Sequence, residues 1–254
     1  MSVIVVCSAH GAPGVTTAAM ALTRTWSRTE HGRRALLVDA DAAGSGLLGG
    51  IFRTGLPRAS GVLALAARRP PFGAEDAVDC AMALDASSSG MVLPGVADPV
   101  QARTLAPTWS ALASASVELG RLGVDVLVDV GRLGHRFEPT PLLAEADVVA
   151  LVMRADLASS VPAAAAVRSL QRLRPHRTVP VALLVGDGYS SSEIETAVGV
   201  AAAHRLPRDE RSAQALLDGV EGPHLERAPL LRAAQSLVRD LSALVPKLSM
   251  AVSS

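Results

Sequence analysis

The chain has 254 residues, of which 49% are hydrophobic and 19% are charged, and its 24 basic side chains balance 24 acidic ones. A formal net charge of zero argues against strong nonspecific attraction to DNA by the chain as a whole. No uninterrupted run of about 18 apolar residues occurs, so the sequence predicts no membrane-spanning segment. The first residues carry neither a basic region nor a cleavage motif of small residues, and we expect a cytoplasmic protein. Cys7 and Cys80 are too few and too far apart for a disulfide framework or a zinc site, which predicts two reduced, packed cysteines.

Short apolar runs alternate with segments long enough to form helices. In chain order, the predicted strands are residues 3–7, 35–39, 91–94, 124–129, 148–153 and 181–185. Their continuous rather than alternating hydrophobicity indicates strands covered on both faces, which is typical of a mainly parallel sheet between two layers of helices. The sequence therefore predicts an α/β fold, a doubly wound three-layer sandwich, in a single domain over residues 1–254.

A glycine-rich segment, His10-Gly11-Ala12-Pro13-Gly14-Val15-Thr16-Thr17, follows the first predicted strand. It has the outline of a phosphate-binding loop (P-loop), in which backbone N–H groups face the phosphates, a lysine contacts the β and γ phosphates, and a Ser or Thr hydroxyl binds Mg²⁺. The lysine position holds Val15, and Lys247 is the only lysine in the chain. Helical spacing over residues 16–28 predicts a helix directly after the loop, which is the context that a P-loop requires.

Aspartates end two of the predicted strands. Asp39 ends the second strand, with Asp41 two residues further on, and Asp129 ends the strand at 124–129. Ligands of open α/β sheets bind at the carboxyl ends of the strands, so these carboxylates are candidate site residues. Prolines and glycines break residues 52–90 into short helices and loops, where we place no chemistry. The apolar spacing of residues 227–245 predicts an amphipathic helix that packs on the sheet.

This ordered set of motifs resembles the ParA/MinD family of P-loop ATPases, whose loop pattern KGGxGKTT aligns without gaps on residues 10–17. The family has an Asp-x-Asp after its second strand, similar to Asp39 and Asp41, and a later strand that ends in Asp, similar to Asp129. The match continues in Pro207-Arg208-Asp209, similar to the family's Pro-x-Asp motif after the last strand, and in residues 91–95 and 227–232. The resemblance covers nearly the whole chain.

The resemblance implies a set of nucleotide-binding residues: Gly11, Ala12, Pro13, Gly14, Val15, Thr16, Thr17, Pro207 and Asp209. It also implies Mg²⁺ among Thr16, Asp39 and Asp129, and a role for Asp41 in orienting the attacking water. The implied cofactors are ATP and Mg²⁺, and the implied assembly is a homodimer that acts with a further protein partner. As residues at the start of a helix, Thr16 and Thr17 could instead serve to cap it.

The departures from the family pattern fall on charged and hydrogen-bonding positions. Val15 and His10 stand where the family has two lysines, one for the bound phosphates and one that reaches across a dimer to the partner's nucleotide. Pro13 removes one backbone N–H from the loop. Gly186-Asp187-Gly188 replaces the family's Asn, which leaves guanine recognition open as an alternative. Residues 11–15 can instead be aligned with the GAPGVGKT form of other P-loops, with a Gly-Lys pair deleted. This alignment also leaves the loop without lysine.

The leading hypothesis is a degenerate ParA/MinD-like protein that acts as a binding, positioning or regulatory scaffold, with weak or no ATP hydrolysis. The alternative is a slow ATPase in which Arg132 or Arg154 replaces the lysine, although paired or solvated surface arginines are the simpler interpretation. The tail after Pro246 lacks the basic amphipathic pattern of a membrane-surface helix. Acidic residues lie among the arginines of the last third of the chain, so we expect a solvated surface of mixed charge there and not a basic DNA-binding face. These arginines are Arg205, Arg208, Arg211, Arg227, Arg232 and Arg239.

Overall fold

The computed structural model describes residues 2–11, 13–53, 55–69 and 71–245 of the chain. Eight strands occur in this part: β1 Val3–Ser8, β2 Arg34–Asp39, β3 Met82–Ala83, β4 Gly90–Leu93, β5 Val124–Arg132, β6 Val148–Arg154, β7 Val181–Val185 and β8 Ala203–Leu206. They form one sheet in the order β3-β4-β2-β5-β1-β6-β7-β8, and every neighbouring pair is parallel except β3 and β4. β1 therefore lies inside the sheet, and all six of its residues are buried.

Helices cover both faces of the sheet. The described residues form α1 Val15–Thr29, α2 Val62–Ala67, α3 Ala74–Asp79, α4 Pro99–Ala102, α5 Ala106–Arg121, α6 Thr140–Glu145, α7 Leu157–Leu173, α8 Ser191–Ile194, α9 Glu210–Leu217, α10 Pro223–Glu226 and α11 Pro229–Leu244, with a π-helical turn, Glu195–Gly199, after α8. One apolar core joins the sheet to α1, α9, α10 and α11. A second core joins the other face to α2 through α8. The predicted three-layer α/β fold is confirmed.

All six predicted strands are present, with small differences at their ends. β5 continues past Asp129 to Arg132, whereas β4 ends at Leu93 because Pro94 has no N–H to donate to a neighbour. β3 and β8 are absent from the predicted set. β3 has only two residues, and β8 contains His204 and Arg205, which interrupt its apolar pattern. The helix predicted over residues 227–245 is present as α11, which begins at Pro229, and the short α10 precedes the predicted range.

A buried carboxylate ties together the amino-terminal end of the sheet. Asp125 in β5 is 2% exposed. Its Oδ1 accepts hydrogen bonds from the Ser2 N–H and the Arg33 Nη2, both at 2.7 Å, and its Oδ2 accepts one from the Trp26 Nε1 at 3.0 Å. Burial alone would raise the pKa of Asp125, but the bonds from Arg33 and Trp26 hold that pKa below its ordinary value. This carboxylate is therefore a structural hub that stays ionised.

The two cysteines are free thiols and both are buried. Cys7 lies in β1 and Cys80 follows α3, and the two belong to the same apolar core. The prediction of packed, unpaired cysteines is confirmed. Separately, none of the helices in the described ranges is both long and apolar enough to cross a lipid bilayer.

Candidate functional site

The glycine-rich loop connects β1 to α1 at the carboxyl end of the sheet. Gly14 precedes the helix in a left-handed conformation, with φ of 98° and ψ of 40°, and its carbonyl accepts a hydrogen bond of 2.9 Å from the Ala18 N–H. The first N–H groups of a helix have no partners within the helix, and they carry the positive end of its dipole. The first turn reads Val-Thr-Thr-Ala and contains no acidic side chain. This geometry suits an anion at the start of α1.

Val15 is an apolar core residue. It is 7% exposed and packs in the core shared by the sheet, α1 and α11. His10 and Gly11 are exposed, while Thr16 and Thr17 are half-buried. Ala12 and Lys247, which the sequence analysis also considered, lie outside the described residues. The position expected to hold a phosphate-binding ammonium group therefore contributes hydrophobic packing.

Asp39, at the end of β2, and Asp129, within β5, lie on the face of the sheet that α1 covers. Asp39 and Asp129 are opposite each other in the register of the two strands. Side chains two residues apart in a strand share a face, and Leu37 and Leu127 belong to the core that contains α1. The two carboxyl groups are therefore neighbours on the side of the sheet from which α1 begins. We call Asp39 and Asp129 the acidic pair.

The acidic pair is buried and only partly hydrogen-bonded. Asp39 is 1% exposed and Asp129 is 0% exposed. Oδ2 of Asp39 accepts hydrogen bonds from the Ser45 hydroxyl at 2.5 Å and the Gly95 N–H at 3.1 Å, and Oδ1 of Asp129 accepts one from the Gly131 N–H at 2.9 Å. Among the described atoms, Asp39 Oδ1 and Asp129 Oδ2 have no hydrogen-bond partner. These two oxygens are the acceptors that the site leaves for a ligand.

Burial raises the pKa of both members of the acidic pair. For Asp39 the charge of Asp129 adds to the effect of burial, and the hydrogen bonds from Ser45 and Gly95 oppose it. For Asp129 the nearby Thr16 hydroxyl and the Gly131 N–H oppose the effect of burial. Keeping the acidic pair ionised therefore lowers the folding stability of the ligand-free protein.

The oxygen groups of this region fit a hard divalent cation. Mg²⁺ prefers oxygen ligands, and the unpartnered carboxylate oxygens of the acidic pair together with the Thr16 hydroxyl supply that type of donor. Within the described residues, no three His, Cys, Asp or Glu side chains are close enough to form a metal site by themselves. A cation at this position would take its remaining ligands from water or a phosphate, as Mg²⁺ commonly does.

Asp41 lies against the backbone of the segment that follows Asp129. A Cβ on Gly131 would lie 2.2–2.6 Å from the carboxyl atoms of Asp41, so any other residue at position 131 would displace that carboxyl group. Asp41 Oδ1 accepts a hydrogen bond of 2.8 Å from the Ala43 N–H. Burial raises the pKa of Asp41, and the Ala43 N–H and the charges of His135 and Arg132 oppose that rise. Asp41 thus lies next to two basic side chains of the loop after β5.

Four further residues shape this site, and none of them is among the predicted site residues. Ser45 and Gly95 contact Asp39, whereas Gly131 and His135 lie beside Asp41. A Cβ on Gly95 would lie 2.6–2.7 Å from Asp39 atoms, so this glycine allows a close approach of two chain segments. The two glycines could be found as breaks just after the predicted strands 91–94 and 124–129. Ser45 and His135 carry no such local signal, because their positions depend on the paths of loops.

A cavity of about 190 Å³ lies between the loop and the β8–α9 connection. Five of the predicted nucleotide-binding residues line it, namely Pro13, Gly14, Thr17, Pro207 and Asp209. The remaining lining is mainly apolar and includes Val185, Leu206 and Leu230. Asp209 also caps α9 by accepting a hydrogen bond of 3.1 Å from the Ser212 N–H. The structure therefore brings the P-loop residues and the Pro-x-Asp motif to one cavity.

The Gly-Asp-Gly segment after β7 lies near this cavity without lining it. Asp187 is exposed and is not among the lining residues. Arg205 donates hydrogen bonds to the carbonyls of Gly186, at 3.0 Å, and Tyr189, and so fastens the segment to β8. The guanine alternative therefore has no contact that supports it.

The candidate arginines differ in their availability. Arg154 pairs with Asp156 at 2.9 Å, and Arg208 pairs with Glu210. Arg132 is exposed and has no ion-pair partner among the described residues. Of the two arginines considered as replacements for the lysine, Arg132 is the one left near the acidic residues.

Comparisons with known proteins identify the fold. No protein family profile and no curated protein sequence matches the chain. A ParA family ATPase from Chlorobium tepidum TLS superposes with a TM-score of 0.74 and 16% identity, covering 94% of this chain and 98% of that one. The septum site-determining protein MinD of Pyrococcus horikoshii OT3, complexed with Mg-ADP, superposes with a TM-score of 0.72 and 17% identity, covering 96% of this chain and 97% of that one. An ATP complex of McdA from Cyanothece superposes with a TM-score of 0.70 and 18% identity, covering 98% of each chain. The chain therefore has the fold of the ParA/MinD family of ATPases.

Proposed function

We propose that this chain is a degenerate ParA/MinD-like protein that acts by binding and not by turnover. It would serve as a positioning or regulatory scaffold, of the kind used in chromosome partition, division-site placement or the assembly of secretion and pilus machinery, with weak or no ATP hydrolysis. The observation that carries the proposal is Val15. The position that would hold the phosphate-binding lysine is a valine that is 7% exposed and packed in the core.

Electrostatics at the site favour weak binding of nucleotide. Each member of the acidic pair leaves one buried oxygen unpartnered among the described atoms, and a triphosphate would bring further negative charge. A hydrogen bond to a charged group contributes about 1.5–3 kcal/mol net, and positions 10 and 15 lack two such lysine contacts. The start of α1 and a bound Mg²⁺ remain as sources of positive charge. These suffice for loose binding, but the charge that develops in phosphoryl transfer requires more.

ATP and Mg²⁺ are the ligands that we propose for this site, because neighbours of the same fold are described with Mg-ADP and with ATP. Thr16 and the acidic pair would hold Mg²⁺. The residues that line the 190 Å³ cavity, Pro207 and Asp209 among them, would contact the nucleoside. Asp41 would face the attacking water if any hydrolysis occurs.

We further propose a homodimer that forms without nucleotide. By the resemblance to the ParA/MinD family, a lysine at position 10 would contact the partner's nucleotide. This chain has an exposed His10 there, which lacks the fixed positive charge of a lysine. Gel filtration with light scattering should give the same dimer mass with and without ATP and Mg²⁺. A clean shift from monomer to dimer on addition of ATP would contradict this.

Arg132 supports a second candidate function, a slow ATPase. It is exposed, it has no ion-pair partner in the described part of the chain, and its charge acts on Asp41. An arginine supplied within the same chain can stabilise the charge of a transferring phosphoryl group. Metal-dependent phosphate release that both Arg132→Ala and Asp41→Ala abolish would establish this function and overturn the scaffold proposal.

Titration with a fluorescent ATP analogue and Mg²⁺ tests the central step. We expect the wild-type protein to bind weakly and the double variant Val15→Lys with His10→Lys to bind at least about tenfold tighter, because it regains two charge-assisted contacts. The double variant Val15→Met with His10→Gln, which restores length without charge, is the matched control and should bind like wild type. Tight binding by wild type, or equal affinity for both double variants, would contradict the proposal.

A further inference from the structure

A second cavity lies at the end of the sheet opposite the P-loop. It has a volume of about 650 Å³ and is formed by the last turns of α1, the turn into β2 and the turn between β3 and β4. Arg34 begins β2 and Asp39 ends it, so the six-residue strand separates this cavity from the acidic pair by about 17 Å. The cavity is therefore distinct from the candidate nucleotide site.

Four arginines line this cavity, which we call the arginine cleft: Arg24, Arg28, Arg33 and Arg34. Arg24 and Arg28 are one turn apart on α1 and share a face of the helix. Arg33 is engaged by the buried Asp125 at 2.7 Å. Arg34 is half-buried and has no ion-pair partner among the residues that the structure describes. The planar guanidinium fork is the side chain best suited to phosphate and carboxylate groups.

The chain's own carboxylates cover two of these arginines. Arg24 Nη1 pairs with Glu221 Oε1 at 3.0 Å, and Arg28 pairs with Glu226. The Arg28 and Glu226 side chains are 48% and 41% exposed, so theirs is a surface ion pair, which contributes little to stability. Glu221 is 55% exposed, whereas Arg24 is only 14% exposed. Glu221 lies in the short connection between α9 and α10, and Glu226 is the last residue of α10, so a change of side-chain rotamer is enough for each carboxylate to leave its arginine. They occupy the places that an external anion would take.

A third carboxylate in the cleft, Asp85, is already occupied by its own turn. It accepts hydrogen bonds from the N–H and hydroxyl groups of Ser87 and Ser89 and from the Gly90 N–H. Partial burial opposes its ionisation, but these bonds hold the pKa of Asp85 at about 2. Since five donors surround this charge, it competes little for the arginines.

We propose that the arginine cleft binds a phosphate-bearing small molecule of about nucleotide size. The ligand takes the places of Glu221 and Glu226 and bridges Arg24, Arg28 and Arg34. The 650 Å³ volume falls within the range of about 300–1,000 Å³ that is usual for small-molecule sites. This inference does not depend on whether the P-loop binds nucleotide.

Isothermal titration calorimetry with inorganic tripolyphosphate tests the proposal on the full chain. The double variant Glu221→Gln with Glu226→Gln should bind about tenfold tighter than wild type, because the competing carboxylates are gone. The double variant Arg28→Gln with Arg34→Gln should bind about tenfold weaker. A gain of affinity cannot arise from misfolding, so the glutamine variant at the two glutamates also serves as the folding control.

Three outcomes would overturn the proposal. Equal affinities for all three proteins would assign the anion to the P-loop, whose residues the variants leave unchanged. No measurable heat for wild type and the glutamate variant at millimolar tripolyphosphate would leave the cleft without a phosphate ligand. Binding of duplex DNA but not of tripolyphosphate by the glutamate variant would assign the arginines to a macromolecule.

Discussion

Replacing Asp39 with asparagine tests whether the acidic pair lowers the stability of the ligand-free protein. Asp39 is 1% exposed, its Oδ1 is unpartnered among the described atoms, and burial beside Asp129 raises its pKa. In the unfolded chain an aspartate has a pKa of about 3.9. Because the pKa is higher in the folded state, the folded protein binds this proton more tightly, and stability falls as the pH rises from the unfolded pKa towards the folded one. Above the folded pKa the whole penalty applies.

Asp39→Asn removes the charge and keeps the shape of the side chain. The amide oxygen can still accept from Ser45 and Gly95, and the amide nitrogen can donate to the facing Asp129 carboxylate. Each unit of raised pKa corresponds to about 1.4 kcal/mol, so we expect the metal-free variant to be about 1.5–3 kcal/mol more stable than wild type near pH 8. The difference should disappear below about pH 3, where the wild-type carboxyl is mostly protonated in both states.

Urea unfolding followed by circular dichroism, in EDTA, measures this difference at several pH values. Asp79→Asn is the matched control, since the Asp79 side chain is 65% exposed and should show no comparable pH-dependent gain. A loss of stability in Asp39→Asn near pH 8, or a gain that is the same at every pH, would refute the reasoning. The same variant should weaken any stabilisation by Mg²⁺ and ATP, since it removes a proposed metal ligand.

Two further substitutions test the framework around the site. Asp125→Asn should cost about 2–4 kcal/mol in urea unfolding near pH 7, because it leaves the Arg33 and Trp26 donors without a carboxylate. Folding lowers the pKa of Asp125, so the stability that this carboxylate contributes is present above the unfolded pKa and is lost as the pH falls through the folded value. An unchanged acid-unfolding midpoint in the variant would contradict this. Gly131→Ala should cost about 2–4 kcal/mol in thermal unfolding, because its Cβ would lie 2.2–2.6 Å from Asp41 carboxyl atoms. Gly134→Ala, with φ of 88° and nothing within 4 Å of the added Cβ, is the matched control and should cost less; equal losses would mean that backbone strain alone explains both.

The sheet is predictable from the sequence where its strands are covered on both faces. β1, β2 and the first six residues of β5 are buried almost throughout, so continuous apolar runs mark them. β3 and β8 lie at the two edges of the sheet, where less burial is required and the apolar pattern is short or interrupted. Edge strands therefore escape an analysis that relies on hydrophobicity.

The candidate site is predictable only where its residues belong to local motifs. Gly14, Asp39 and Asp129 stand at the start of a helix or near the carboxyl ends of strands, so the topology brings them to the same end of the sheet. The hydrogen bond from Ser45 to Asp39 and the approach of His135 to Asp41 depend on the tertiary paths of two loops. The arginine cleft draws on residues 85–89, within the stretch where the sequence analysis places no chemistry. Such contacts between distant segments leave no pattern in the sequence.

The packing of Val15 has a consequence for how the amount of functional protein is set. A buried ammonium group at the start of a helix makes the folded population depend on an anion being present, because a filled site stabilises by mass action. A valine in the core makes no such demand. If the chain works as the scaffold proposed above and binds ATP only loosely, its folded fraction changes little with the cellular ATP concentration, and synthesis and degradation mainly determine how many copies are available for assembly.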